Sequence, residues 1–465
     1  MPACGSLPRS SFRGIAIGMA LAGFATGASA ADNCHVGAYR LRDGRIVDIA
    51  PSDGSTLRWR MVDGQTGALA AQPDGSWRST FGWTGRPDGK KIIFSDCASG
   101  RIDFAGTGGK RIALQVTKTR FKSGAVTLVG RLELPPGHHE VPLVVLVHGA
   151  EHDSALEFNY LQRLLPADGV GAFVYDKRGT GASGGEYTQD YPTLAEDAVA
   201  ALREARRLAG RRTGRVGFQG GSQGGWVAPL AAKNSRADFL IVSFGLAVSP
   251  LAEERESIEH EIRSRVPGSE GAKAADEFAD TIAEVATSNF QAGFDRLDAL
   301  RQRYGRETWF KRVGGEFARF LLDTPDAEIR KEGPPLIRGI NLNYDPMPVL
   351  STLNVPQLWV LGDKDRDAIP YETSRRLMKL RSAGKPISLA IYPNAEHGMT
   401  EFEMRGGDRI STRYSPDYFR MLHDFATYGS LRGKYGNAEI NFNLQAVPTH
   451  LYNRRARRRP SPVHR

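Results

Sequence analysis

From about residue 126 the chain alternates between short apolar runs and longer segments with apolar residues at helical spacing. Val126–Leu134 reads as a strand stopped by Pro135-Pro136, residues 143–147 as a continuous buried-strand run, and 170–175 as a third strand entering a Gly-rich loop. Residues 193–208 are Ala-rich and amphipathic, which predicts a helix, and 215–219 predict a strand running into a sharp turn. Strands that alternate with helices predict an α/β fold, with a mostly parallel sheet flanked by helices and joined by right-handed crossovers. Residues 251–345 break the alternation. They are charged, helical in character and rich in aromatics (Phe290, Phe294, Tyr304, Trp309, Phe310), and they interrupt the sheet between Leu240-Ile241-Val242 and the strand at 358–361. A helical cap inserted over the site is expected there, within a catalytic domain spanning 126–435.

Residues 31–125 follow a different pattern. Asp43-Gly44, Asp53-Gly54, Asp63-Gly64, Asp74-Gly75 and Asp88-Gly89 recur about every ten residues and separate β-prone stretches, which predicts a small β-rich domain built as an antiparallel meander. These pairs fit no calcium loop, so hairpin turns are the better reading. The ends of the chain are distinct again. Arg9 and Arg13, the apolar run 15–24 and Ala28-Ser29-Ala30 have the layout of a secretory signal peptide over residues 1–30. Past residue 435 the chain turns basic and Pro-containing, and a disordered tail is expected over 436–465.

Composition changes this picture in two places. The formal charge of +10 suggests a polyanion partner until it is located. The signal-like segment holds two of these charges and the last 25 residues hold six arginines without an acid, which leaves +2 on the body. A nucleic-acid partner is therefore not expected. Cys4 lies in the signal-like segment, so a processed chain would keep only Cys34 and Cys97, and export to an oxidising compartment, periplasmic or extracellular, predicts a disulfide between them. No later segment has the ~18 continuous apolar residues of a spanning helix.

The candidate chemistry lies in the α/β part. Gly220-Gly221-Ser222-Gln223-Gly224 has the G-x-S-x-G form between a strand and a helix-prone segment. A nucleophile on so tight a turn needs small neighbours, and the helix N-terminus behind it favours developing negative charge. Tyr392-Pro393-Asn394-Ala395-Glu396-His397-Gly398 places a His just after a late strand, beyond an acidic loop carrying Asp363, Asp365 and Asp367. Ser222 as nucleophile, an Asp of this loop and His397 as general base make a nucleophilic triad. Glu151-His152-Asp153 looks like a metal cluster, but adjacent residues cannot all turn to one ion, so no metal and no cofactor is expected. Asp176, Lys177 and Arg178 read as a structural loop.

Five landmarks in order carry a resemblance. They are His148-Gly149, the Asp176-Lys177-Arg178-Gly179 loop running on to Ser183, Gly220 to Gly225, Gly362 to Pro370, and Asn394 to Gly398. Over residues 126 to 430 the chain resembles the α/β-hydrolase superfamily, in particular its bacterial esterases and serine aminopeptidase-like hydrolases. The resemblance implies the chain order Ser222, Asp, His397 and an oxyanion hole formed by the backbone N–H groups of Ala150 and Gln223. It departs from the family in the acidic loop, where one extra residue separates Gly362-x-x-Asp365 from Ile369-Pro370. Asp365 keeps the usual register and is favoured, Asp367 follows if the insertion precedes the acid, and Asp363 is nearest the strand end. The implied activity is hydrolysis of a small or short peptide-like acyl substrate, with carboxylic esters first. The runners-up are an aminopeptidase-like amidase, a thioesterase and a binding protein on a hydrolase scaffold.

Overall fold

The computed structural model of the protein describes residues 33–52 and 56–441. The signal-like segment, the Asp53-Gly54 pair and the basic run from 442 lie outside the described residues. Eight antiparallel strands form the N-terminal unit: β1 (Gly37–Leu41), β2 (Ile46–Pro51), β3 (Leu57–Met61), β4 (Thr66–Ala71), β5 (Trp77–Thr80), β6 (Pro87–Phe94), β7 (Arg101–Phe104) and β8 (Thr107–Arg111). The meander closes into a barrel because β1 pairs with β8, with Tyr39 opposite Arg111. Closure removes the exposed edges that an open meander would leave. Its interior is filled by Tyr39, Val47, Ile49, Leu57, Trp59, Leu69, Ile92 and Phe104.

The turns explain why this sequence makes hairpins. Gly44, Gly64 and Gly75 take positive φ (88°, 91° and 77°), while Asp43, Asp63 and Asp74 accept the N–H two residues on. Asp88-Gly89 departs from the expected pattern. It lies inside β6 where the register against β5 shifts, so it makes a bulge and not a hairpin.

The second unit is a nine-stranded sheet. Its strands are β9 (Gln115–Ser123), β10 (Val126–Leu134), β11 (Val141–Val147), β12 (Gly171–Tyr175), β13 (Thr213–Gly221), β14 (Phe239–Ser243), β15 (Gln357–Gly362), β16 (Ile387–Tyr392) and, at the far edge, β20 (Glu439–Ile440). The spatial order is β20-β16-β15-β14-β13-β11-β12-β10-β9. β12, β11, β13, β14, β15 and β16 are mutually parallel, whereas β9, β10 and β20 join antiparallel. Helices cover both faces, and two apolar cores, one on each side, are built from alternate residues of the same strands: Val145 faces one and Val144 the other.

Three segments differ from the expectations. Gln115–Ser123, assigned from sequence to the N-terminal unit, pairs along its whole length with β10 and is an edge of the large sheet. Residues 439–440, assigned to the disordered tail, pair with Ile391 and Ala390, and Asn441 exchanges hydrogen bonds with Leu389. Residues 400–414, unassigned from sequence, form a hairpin of β18 (Thr400–Arg405) and β19 (Asp408–Tyr414), with the short β17 (Ala395–Glu396) paired to β18.

This hairpin is where the barrel docks. Tyr414 N–H donates to the Gly64 carbonyl and Trp83 N–H to that of Ser411, both at 2.9 Å. Arg413 reaches the Asp63 carbonyl at 2.6 Å, and Trp83 packs edge-on against Tyr414. A second contact is charged and buried. Asp48 of β2 accepts Arg163 Nε at 2.6 Å, from the helix Leu161–Ala167 on the sheet.

Between β14 and β15 lie helices Pro250–Arg265, Gly268–Thr287, Phe294–Tyr304, Glu316–Asp323 and Asp326–Leu336. They share a core of their own, around Ile258, Phe278, Ile282, Phe290, Leu297 and Leu321. Buried Glu254 caps the start of Glu316–Asp323 by accepting the N–H groups of Phe317 (3.2 Å) and Ala318 (2.7 Å). Among the described residues no helix is long and apolar enough to cross a membrane.

Cys34 and Cys97 form a disulfide, with Cα atoms 5.7 Å apart, that links the residues before β1 to those between β6 and β7. By the chain-entropy model a closed loop of this size stabilises by about 4 kcal/mol. Cys34→Ser is therefore expected to lower the unfolding free energy of the barrel by that order and with it the urea midpoint. An unchanged urea midpoint under oxidising conditions would contradict this.

Candidate active site

β13 ends at Gly221 and the helix Gly224–Lys233 begins three residues later. Ser222 lies between them at φ 52°, a left-handed conformation unusual for a residue with a Cβ. The turn is too crowded for side chains at its flanks. A Cβ on Gly220 would lie 2.2 Å from the Gly224 carbonyl oxygen, one on Gly224 2.8 Å from that of His148, and one on Gly225 2.8 Å from Gly245 Cα. The glycines let the helix press against the strand, and the turn points Ser222 out of the sheet.

His397 follows β17, on the segment after β16. Its Nδ1 lies 3.0 Å and 3.2 Å from the two carboxylate oxygens of Asp365, whose side chain is buried. Asp365 Oδ1 also accepts the N–H groups of Asp367 (2.9 Å) and Ala368 (2.8 Å), which fixes the carboxylate. Asp363 points elsewhere and accepts the Asn394 N–H at 2.6 Å. Asp367 stays near the imidazole: its carboxylate, that of Asp365 and a ring nitrogen of His397 lie within 4.8 Å of one another. Phe244 joins the two halves of the site. Its ring packs edge-on against His397, with centroids 5.0 Å apart, and a Cβ on Gly221 would meet it at 2.7 Å.

Charge around His397 is lopsided. Burial acts to lower its pKa, but Asp365, then Asp367 and Glu253, outweigh burial and raise it above the ordinary 6.5. Burial, together with the mutual repulsion of the acids, raises the carboxyl groups of Asp367, Glu253 and Glu316 in turn. Glu253 and Glu316 come from the inserted helices. In the sequence the run Glu253-Glu254-Arg255-Glu256 has the look of an ordinary polar helix start, and nothing in it separates the acid that acts on His397 from its neighbours.

After β11 the loop His148-Gly149-Ala150 passes beside the Ser222 turn, and a Cβ on Gly149 would approach the Gly221 carbonyl. Among the described residues neither the Ala150 nor the Gln223 N–H has a protein acceptor. His148 is buried, with Nε2 on the Tyr175 carbonyl, and burial lowers its pKa. Gln223 is buried and its side chain donates to Gln189 at 2.7 Å. Glu151 and His152 diverge: Glu151 accepts the Gly149 N–H at 3.2 Å, while His152 stacks on Tyr187. In the next loop Asp176 accepts Ser154 Oγ (2.7 Å) and the Ala182 N–H (2.9 Å), and Arg178 makes a two-pronged pair with Asp197.

The sheet order, the Ser222 turn at the end of a central strand and the His–Asp pair beyond the next strands define the class as α/β hydrolase. A family model described as Alpha/beta hydrolase family matches residues 144–405, more than half of the sequence, and the chain belongs to that family. No curated protein matches significantly. Among solved structures, an acylaminoacyl peptidase of Pyrococcus horikoshii is similar at 13% identity and a TM-score of 0.41, covering 83% of this chain. The match takes in only 57% of that peptidase's length. An esterase of Pyrococcus furiosus aligns at 13% identity and a TM-score of 0.39, over 61% of this chain and 85% of its own. One of Thermogutta terrifontis aligns at 19% and 0.35, over 60% and 91%. Similarity this low carries nothing about substrate.

The charge around His397 is open to direct measurement. Removing an anion beside an imidazolium destabilises the protonated form, so Asp367→Asn is expected to lower the His397 pKa. The Hε1 resonance followed through a pH titration would show the midpoint moving to lower pH. An unmoved midpoint would mean that Asp367 does not act on this ring.

Proposed function

We propose that the protein is an exported serine hydrolase that cleaves carboxylic esters through an acyl-enzyme on Ser222. The observation that carries the reading is the backbone at Ser222, held at positive φ between strand and helix and joined through Phe244 to a His397 already oriented by Asp365. In this reading Ser222 Oγ attacks the ester carbonyl while His397 Nε2 takes its proton. The tetrahedral oxyanion is held by the N–H groups of Ala150 and Gln223. Collapse breaks the bond to the alkoxy oxygen, which leaves as alcohol with the proton from His397. Water then enters by the reverse sequence and releases the carboxylic acid. Asp365 holds the imidazole in the tautomer with Nδ1 protonated and stabilises the cation that forms.

The helices between β14 and β15 serve as a cap in this reading. They are tied to the acid loop, since Ser257 Oγ donates to the carbonyls of Arg366 (2.8 Å) and Asp367 (3.2 Å) and Glu261 pairs with Arg366 at 3.0 Å. The Cys34–Cys97 disulfide supports an oxidising compartment.

Ser222→Ala is expected to cost on the order of 10⁶ in kcat on a nitrophenyl ester, and Asp365→Asn about 10⁴, both with an unchanged melting temperature. The parent protein should take up a fluorophosphonate and Ser222→Ala should not. Turnover and labelling that survive in Ser222→Ala would overturn the reading.

A further inference from the structure

Lys177 has an unusual environment. It is 2% exposed, and among the described residues no carboxylate lies within 4.0 Å of its ammonium group. Its Nζ donates instead to the Gly149 carbonyl at 2.9 Å and lies 4.6 Å from the centre of the Tyr187 ring. Burial pushes the ammonium down to about 8, against a smaller opposing pull from Glu151. An apolar side chain of similar length would fill this space without the desolvation cost of a buried charge.

The acceptor shows what the charge is placed to hold. A trans peptide is planar, so its C=O and N–H point in opposite directions. Gly149 C=O and Ala150 N–H belong to one such plane. Holding the carbonyl on Lys177 turns the Ala150 N–H away from the buried lysine. The next peptide is held as well, because Tyr187 OH donates to the Ala150 carbonyl at 2.7 Å. The Gly149 N–H is taken by Glu151. Of the backbone polar groups from Gly149 N–H to Ala150 C=O, only the Ala150 N–H is left without a partner among the described residues. His152 stacks on the Tyr187 ring, with centroids 3.7 Å apart, and restrains the phenol.

We propose that Lys177 and Tyr187 are positioning residues that hold the Gly149–Ala150 peptide with its N–H aimed at the oxyanion of the transition state. The inference rests on the serine-hydrolase reading above. Neither side chain touches substrate. A donor fixed in advance gains more as the oxygen becomes anionic than it does on the neutral ground-state carbonyl, so the effect falls on kcat and leaves KM in place.

The test uses the full chain with 4-nitrophenyl butyrate as substrate and phenylboronic acid as a probe that forms a tetrahedral anion on the serine. Lys177→Met is expected to lower kcat by roughly 10- to 100-fold, with KM within threefold and boronate affinity reduced in step. Tyr187→Phe, which keeps the ring, should change the same quantities in the same direction by less. It also serves should Lys177→Met fail to fold. A merely structural role would lower the melting temperature without separating kcat from KM or weakening the boronate. Folded variants with parental kcat and boronate affinity would overturn the inference, and for that outcome Ser222→Ala separates the two levels. If Ser222→Ala is inactive while Lys177→Met and Tyr187→Phe turn over normally, only the positioning role fails. If Ser222→Ala remains active, the hydrolase reading itself has failed.

Discussion

The backbone at Ser222 has to bend left-handed within one residue, because β13 enters from the middle of the sheet and the next helix leaves at once across its end. Left-handed conformations at residues with a side chain cost of order 1–3 kcal/mol, and surrounding structure must enforce them. Here the enforcement is close packing. Gly220, Gly224 and Gly225 have no room for a methyl group, so the helix lies directly on the strand and on the His148 loop. The same closeness sets His148-Gly149-Ala150 beside the serine, and through Gly221 it sets Phe244 against His397. The geometry of the site therefore follows from one turn whose neighbours are too small to push it apart.

His397 is held by a different device. It is followed by a hairpin instead of passing directly into a helix, and this hairpin is clasped from outside by the barrel. Gly64 and Gly82, both at positive φ, make the close approach possible: a Cβ on either would lie within 2.5 Å of a backbone carbonyl oxygen of the hairpin. Arg409 on the same hairpin reaches the Lys364 carbonyl and so ties it to the acid loop. The hairpin thus braces the two elements of the His–Asp pair together, and the barrel, which contributes no residue to either, clasps the hairpin from outside. The buried Asp48–Arg163 pair fixes the barrel to the sheet at a second point.

Much of this was legible in the sequence where local pattern and packing coincide. The strand runs at 143–147, 171–175 and 358–361 hold no polar side chain because the sheet is covered on both faces, and Gly220 to Gly225 is recognisable because the turn tolerates little else. The barrel's turns were legible through Asp-Gly, but its closure was not, since pairing of β1 with β8 joins residues some seventy apart. Gln115–Ser123 gave little signal as a sheet edge, because most of its residues face solvent. The hairpin at 400–414 was invisible for a related reason: it is polar, and its order comes from the barrel. In the site, the acids of one loop could be ranked only by register, whereas their placement depends on backbone N–H groups that hold Asp365 and leave Asp367 beside the ring. Lys177 lies in the Asp176-to-Gly179 landmark but was read there only as part of a structural loop, and Tyr187 carried no motif. Their partners are carbonyl oxygens, and no sequence pattern records a carbonyl.

A mechanism that proceeds through a covalent intermediate on one serine can be observed without choosing the physiological substrate. Rapid mixing of the full chain with 4-nitrophenyl acetate, acid quench and intact-mass measurement should show one added acetyl group (about 42 Da) during a nitrophenol burst. Peptide mapping should place it within the fragment containing Ser222. An acetyl group on another residue, or turnover with an enzyme that never gains mass while chemistry is faster than deacylation, would contradict the account.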